Sequence, residues 1–175
     1  MTNILVTGAP KTGKTTLIAN VIKESGFRPI GFITEEVLQD HIRIGFQIRT
    51  YSGTTATLAS VNNRSSRYLV GKYGVFLENL DEIVGVLEAE MACKQYDLVV
   101  IDEIGKMELG SEAFKQFILR CLDLGKVFGS IMLHDNFFTR KIKERPDTVV
   151  YHLTRNNRED IKNQVLEALI HHLKY

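Results

Sequence analysis

The sequence predicts an α/β protein with a mainly parallel sheet. Three observations carry that expectation. Short continuous apolar runs recur along the chain, such as NILVT at 3–7 and DLVVIDE at 97–103, and such runs read as strands covered on both faces. Segments with apolar residues at helical spacing separate them. The stretch GAPKTGKTT at 8–16 joins the first run to the first helical segment, giving the strand–loop–helix order of a right-handed crossover.

Each element follows from its own pattern. After the strand at 3–7, residues 14–25 form a helix with Leu17, Ile18, Val21 and Ile22 on one face, closed by Gly26 and Phe27. Residues 29–38 and 42–51 read as two strands joined by the polar turn QDH, hence a hairpin, with 55–60 as a third antiparallel member. VNNRSSR at 61–67 is polar and aperiodic, a loop, and YLVGKYGVFL at 68–77 is extended or irregular. Ile83, Val84, Leu87, Met91 and Ala92 mark an amphipathic helix over 81–95. The strand at 97–103 is followed by a helix (112–123), a strand (126–133), a basic helix (137–144), a strand (148–153) and a last helix (157–173). The hairpin after the first helix is the departure from simple alternation.

A chain of 175 residues reads as one domain, 1–175, able to bury roughly 70% of the surface it exposes when unfolded. Hydrophobic residues make up 44% and charged residues 25%, so the core needs no disulfide or metal staple. A net charge of +1 argues against the large basic field that nucleic acid or an anionic membrane would attract. Runs such as LVVI and SIML are too short to span a bilayer. No signal peptide is visible in MTNILVTGAP, which runs straight into the fold. Cys93 and Cys121 lie far apart without CxxC spacing and read as buried free thiols in helices. They are compatible with the expected cytoplasmic location.

The glycine-rich loop carries chemistry. Gly8, four residues, then Gly13, Lys14 and Thr15 outline a phosphate-binding loop. Such a loop works through its backbone: consecutive N–H groups curl round phosphates, and the next helix offers its positive end. Gly8 permits the turn and Gly13 a close approach. Lys14 reaches the β- and γ-phosphates, and Thr15 offers a hydroxyl to Mg²⁺. Lys11 and Thr12 occupy positions where a side chain can point away while its N–H still serves. The plainer reading, a glycine-rich turn with a coincidental lysine, is countered by the buried strand before it and the helix opening at Lys14.

VVIDEIGKME at 99–108 is the second constellation. A buried strand ending in Asp102 puts a carboxylate at the carboxyl edge of the sheet, where ligands bind in open α/β folds. Asp102 is placed to hold Mg²⁺ through water, because that ion keeps several waters. Glu103 is placed to orient or deprotonate an attacking water. A loop cap is the plainer role for either acid.

In order along the chain, GAPKTGKTT, GFITEEV, RIGFQI, LVGKYGV, VIDEIGKMEL and TRNNR resemble the small P-loop nucleoside-triphosphatases first described from thermophiles, whose relatives include cancer-related nucleoside-triphosphatases. The resemblance spans nearly the whole chain. It implies a three-layer P-loop NTPase domain of RecA-like type, in which an extra strand separates the loop strand from the acidic strand. It implies slow, Mg²⁺-dependent hydrolysis of nucleoside triphosphates to diphosphate and phosphate, with ATP, GTP, CTP and UTP all accepted. The nucleotide segments of the family carry over onto Gly8, Ala9, Pro10, Lys11, Thr12, Gly13, Lys14 and Thr15, and onto Val99, Val100, Ile101, Asp102, Glu103, Ile104, Gly105 and Lys106. Lys11 is the departure, since family members usually have glycine there, and it bears on loop flexibility.

Weaker signals surround these segments. Lys72 and Lys106 are candidate transition-state cations or plain surface lysines. Arg64 and Arg67 flank a polar loop. His134 follows a strand and is a polar sensor or an ordinary loop histidine. Arg140, Lys141, Lys143 and Arg145 form a lid or a solvated helix face. Asn156 reads as the N-cap of the last helix, and Arg158 as part of that cap or as a platform for a base. Phe46 and Tyr51 follow strand pattern and read as core. Two rivals remain: a small nucleoside or nucleotide kinase, needing an acceptor pocket and an arginine-rich lid, and a switch whose slow hydrolysis resets a partner contact.

Overall fold

A computed structural model describes residues 2–174. It contains one nine-stranded sheet. Five strands run parallel: β1 (Asn3–Thr7), β2 (Pro29–Gln39), β7 (Leu98–Ile104), β8 (Val127–Ile131) and β9 (Thr148–His152). An antiparallel wing of β3 (Ile42–Thr50), β4 (Thr55–Ser60), β5 (Leu69–Val70) and β6 (Tyr73–Val75) extends beyond β2. The spatial order is β5-β6-β4-β3-β2-β7-β8-β1-β9. Strand β8 therefore lies between the loop strand β1 and the acidic strand β7, as the resemblance implied.

Alternation along the strands assigns the two faces. Ile4, Val6, Leu98, Val100 and Phe128 pack with Leu17, Ile18 and Val21 of α1 (Lys14–Ser25) and Val165 and Leu169 of α5 (Arg158–Lys174). Their neighbours Leu5, Val99, Ile101 and Val127 face the other layer. There they meet α2 (Leu77–Cys93), α3 (Glu112–Asp123) and Ile142 of α4 (Phe137–Lys143). Helices on both faces explain why these strands read as unbroken apolar runs. Buried Asn3 ties the strand start to its surroundings, donating to the Leu122 carbonyl (3.0 Å) and accepting from Val127 N–H (3.1 Å).

Three expectations need correction. Helix α2 begins at Leu77, a turn before residue 81: Leu80, fully buried, is in helical phase with Ile83, Val84 and Leu87. The polar residues between them hid that phase. The stretch at 68–77 instead supplies the small hairpin β5–β6 and then the helix start. Cys93 is exposed at the end of α2, because its face turns to solvent; only Cys121 is buried, and burial pushes its thiol up to about 12. Tyr51 lies past the end of β3 and is 36% exposed, whereas Phe46 packs edge-on against Tyr73 at 5.2 Å. No helix among the described residues is long and apolar enough to cross a membrane.

Candidate active site

The carboxyl ends of the parallel strands open onto a cavity of about 700 Å³. One wall is the loop between β1 and α1. A side chain at Gly8 would stand 2.4 Å from the Leu153 carbonyl oxygen, so the turn out of β1 requires glycine. Gly13 adopts φ +98° immediately before α1, a left-handed value that exacts little from glycine alone. Between them Thr12 is buried, and both its N–H (3.3 Å) and its hydroxyl (2.8 Å) donate to the Ala9 carbonyl. Ala9 and Thr12 thus close the loop rather than line the cavity. Lys11 is exposed at φ 63°, in the left-handed region that favours glycine. The Lys14 ammonium donates to the Gly8 carbonyl at 3.0 Å.

The facing wall is the end of β7. The β7–β8 ladder shifts register between Ile101 and Ile104, freeing residues 102 and 103 from regular pairing with β8, while Asp102 still pairs with Ile33 of β2. Asp102 is buried on the α1 side, where the Thr15 hydroxyl donates to it at 2.5 Å and Ser130 donates from β8. Burial pushes the Asp102 carboxyl up, against the pull of the Ser130 and Thr15 hydroxyls and the Lys14 charge. Glu103 is half-buried; desolvation raises its carboxyl, Lys14 opposes the shift and Asp102 adds to it. Thr15 and Asp102 supply the hard oxygen donors that Mg²⁺ takes beside substrate phosphates. No group of three or more His, Cys, Asp or Glu placed to hold a metal ion exists among the described residues. The donor set therefore fits an ion held jointly by protein and nucleotide, not a protein cage.

The remaining candidates divide. Gly8, Pro10, Lys11, Gly13, Lys14 and Thr15 line the cavity with Asp102, Glu103, Gly105 and Lys106. Val99, Val100, Ile101 and Ile104 are fully buried in the two cores, so their side chains only carry the strand to the site. His134 is exposed at the rim. Lys72 and Arg64 line a different depression beside Leu69. The basic helix is fixed: Lys143 pairs with Asp135 (2.7 Å) and donates to the Met132 carbonyl, and Arg145 pairs with Asp147 (2.8 Å) and Asp123. Asn156 is not the residue before α5; Asn157 is, and its side chain accepts from Thr154 N–H and donates to the His152 carbonyl. Arg158 leaves the cap to donate from Nε to the Thr12 carbonyl at 2.7 Å, beside Gly13. Glu108 and Ser130 were missed as site residues. Neither carried a signal in the sequence: Ser130 meets Asp102 only once β8 lies beside β7, and Glu108 follows no periodic pattern.

Fold and site together define a P-loop nucleotide-binding enzyme. Residues 3–166 match the NTPase family, and the chain belongs to it. Nucleoside-triphosphatase THEP1 of Thermotoga sp. (strain RQ2) is 42% identical over 170 residues, covering 95% of this chain and 94% of that protein. Its counterpart in Methanocaldococcus jannaschii is 38% identical, covering 98% and 99%. Among solved structures, THEP1 from Aquifex aeolicus superposes with a TM-score of 0.82 at 34% identity, covering 97% of this chain and 99% of that one. A human cancer-related nucleoside triphosphatase superposes with a TM-score of 0.79 at 32% identity, covering 97% of both.

Proposed function

We propose that this protein hydrolyses nucleoside triphosphates to diphosphate and inorganic phosphate. The observation that carries the reading is the juxtaposition of Lys14, Thr15, Asp102 and Glu103 around one cavity. In this reading loop N–H groups hold the β-phosphate, and Lys14 swings from the Gly8 carbonyl to the β- and γ-oxygens. Thr15, and Asp102 through water, would hold Mg²⁺, which would neutralise charge on the phosphates. Glu103, its basicity raised by burial, takes a proton from water as the water oxygen bonds to the γ-phosphorus. The bond to the β,γ-bridging oxygen breaks, and the diphosphate leaves with that electron pair. Arg158, beside Gly13, offers a flat cation on which any base can stack. Recognition resting on phosphates and stacking supports use of ATP, GTP, CTP and UTP alike. Their kcat/KM values are expected within roughly 1–2 kcal/mol of each other.

One observation favours a second reading. The cavity runs past Glu103 to Thr34, Arg43, Phe46 and Val70, and the buried Thr34 hydroxyl has no hydrogen-bond partner. That lobe is where a kinase would seat an acceptor. Phosphate release from each triphosphate in competition, with and without small nucleosides and alcohols, tests both readings. Free phosphate in equal amount in both conditions supports hydrolysis. Phosphorylated acceptor at the expense of free phosphate would displace it.

A further inference from the structure

Glu108 is an expensive residue for its place. It is 4% exposed in the single 3-10 turn Glu108–Gly110, next to buried Leu109 and lining the cavity. Its backbone is firmly held. Leu109 N–H donates to the Gly105 carbonyl (3.0 Å), Ser111 N–H to the Glu108 carbonyl (3.1 Å), and Tyr68 donates its hydroxyl to the Lys106 carbonyl (2.6 Å). No ion pair to Glu108 exists among the described residues, and the same is true of Glu103. Instead the two acids converge on one glycine. A side chain at Gly105 would stand 3.1 Å from Glu108 Oε2 and 3.3 Å and 3.5 Å from Glu103 Cγ and Cδ. Gly105 leaves open the space that the two side chains flank.

Two carboxylates in a water-poor pocket repel unless a proton lies between them. Burial, with Glu103 as the second cause, pushes the Glu108 carboxyl up to about 8, although the N–H groups of Glu108 and Gly105 pull against it. Lys14 acts in the opposite sense on Glu103. A hydrophobic residue would fill the same buried volume without that desolvation penalty.

We propose that Glu108 is a positioning residue for Glu103: its buried side chain braces that of Glu103 across Gly105 and keeps it turned toward the attacking water. This rests on the reading of Glu103 as the group that prepares water. In this role Glu108 acts through Glu103 rather than on the nucleotide.

The test compares Glu108→Leu, Glu108→Gln, Glu103→Gln and the Glu103→Gln/Glu108→Leu double variant in ATP hydrolysis, with thermal midpoints recorded. Glu108→Ala, which removes the carboxyl without a branched side chain, serves where leucine does not fit. The folded Leu or Ala variant is expected to keep its KM and lose kcat roughly 10–100-fold, the usual worth of a group that orients a reacting one. Glu108→Gln keeps a donor of the same reach and should recover most of that loss. In the Glu103→Gln background the same replacement should cost little more. Wild-type kcat in a folded Leu or Ala variant would overturn the proposal. So would a Gln variant as impaired as Leu, a rise in KM at unchanged kcat, or full additivity in the double variant. If Glu103→Gln alone hydrolyses at the wild-type rate, the reading beneath the proposal has failed instead.

Discussion

The phosphate loop and the acidic end of β7 face each other across one cavity, built from different materials. The loop presents main-chain groups on a frame that two glycines make possible, Gly8 beneath the Leu153 carbonyl and Gly13 at φ +98°. Its lysines stay in contact with solvent. The β7 end presents carboxyl groups at Asp102, Glu103 and Glu108 that are raised above the usual carboxylate range, each with burial as the leading cause. Shape does the work on one side and desolvation on the other. Replacements in the loop should therefore act through geometry and contact with phosphate. Replacements at the strand end should act through proton affinity.

The largest effect expected on the loop side is that of Lys14→Ala. It removes the loop ammonium that the proposed mechanism swings to the transferred phosphate, and kcat/KM should fall roughly 10²–10³-fold, the range for losing one donor to developing charge. The thermal midpoint should hardly move, because the Lys14 contacts are two hydrogen bonds to loop carbonyls, one part-buried and one exposed. Near-wild-type hydrolysis by the folded variant would take the nucleotide away from this loop.

On the acidic side the comparison predicts a pH signature. The Glu108 carboxyl is raised to about 8 from 4.5, so the folded protein holds a proton that the unfolded chain releases. That contribution is fully present below about pH 4.5 and is lost as pH rises through about 8. Wild type should lose stability relative to Glu108→Gln across that window, on the order of 4 kcal/mol. Urea unfolding of both proteins at pH 5, 6.5 and 8 measures it. Parallel stability curves would mean that Glu108 is ionised and otherwise compensated.

The smallest effect is Lys11→Gly. A lysine at φ 63° bears about 1 kcal/mol of left-handed strain, and glycine relieves it at some cost in unfolded-chain entropy. A net stabilisation of at most about 1 kcal/mol is expected. A variant less stable than wild type by that amount would show that the Lys11 side chain holds the loop.

The same contrast explains what was legible in the sequence. The phosphate loop could be placed residue by residue, because its constraints are local: a strand, the two glycines Gly8 and Gly13, and a helix start at Lys14. Asp102 and Glu103 were legible as the end of an apolar run. Glu108 was not, because a glutamate in GKMEL looks like a surface residue until Gly105 and the cap at Ser111 fold it back. The order of the strands was implied by resemblance rather than by pattern, since pairing of β8 between β1 and β7 joins segments far apart in sequence. Helix α2 was placed late because Leu77 and Leu80 stand among polar residues. Arg158 at the loop depends on α5 packing beside α1, a tertiary contact that capping logic at Asn156 could not foresee.

The central claim is that Glu103 prepares the water for attack. Glu103→Gln keeps size and hydrogen-bonding reach and removes basicity, leaving Lys14, Thr15 and Asp102 in place. Single-turnover hydrolysis measured beside equilibrium triphosphate binding tests the claim most directly. The account predicts binding close to wild type and a rate lower by roughly 10²–10⁴, the worth of a positioned general base, with uncleaved triphosphate trapped on the protein. Hydrolysis at the wild-type rate would contradict it, and would move the cavity beyond Glu103 from a water site to an acceptor site.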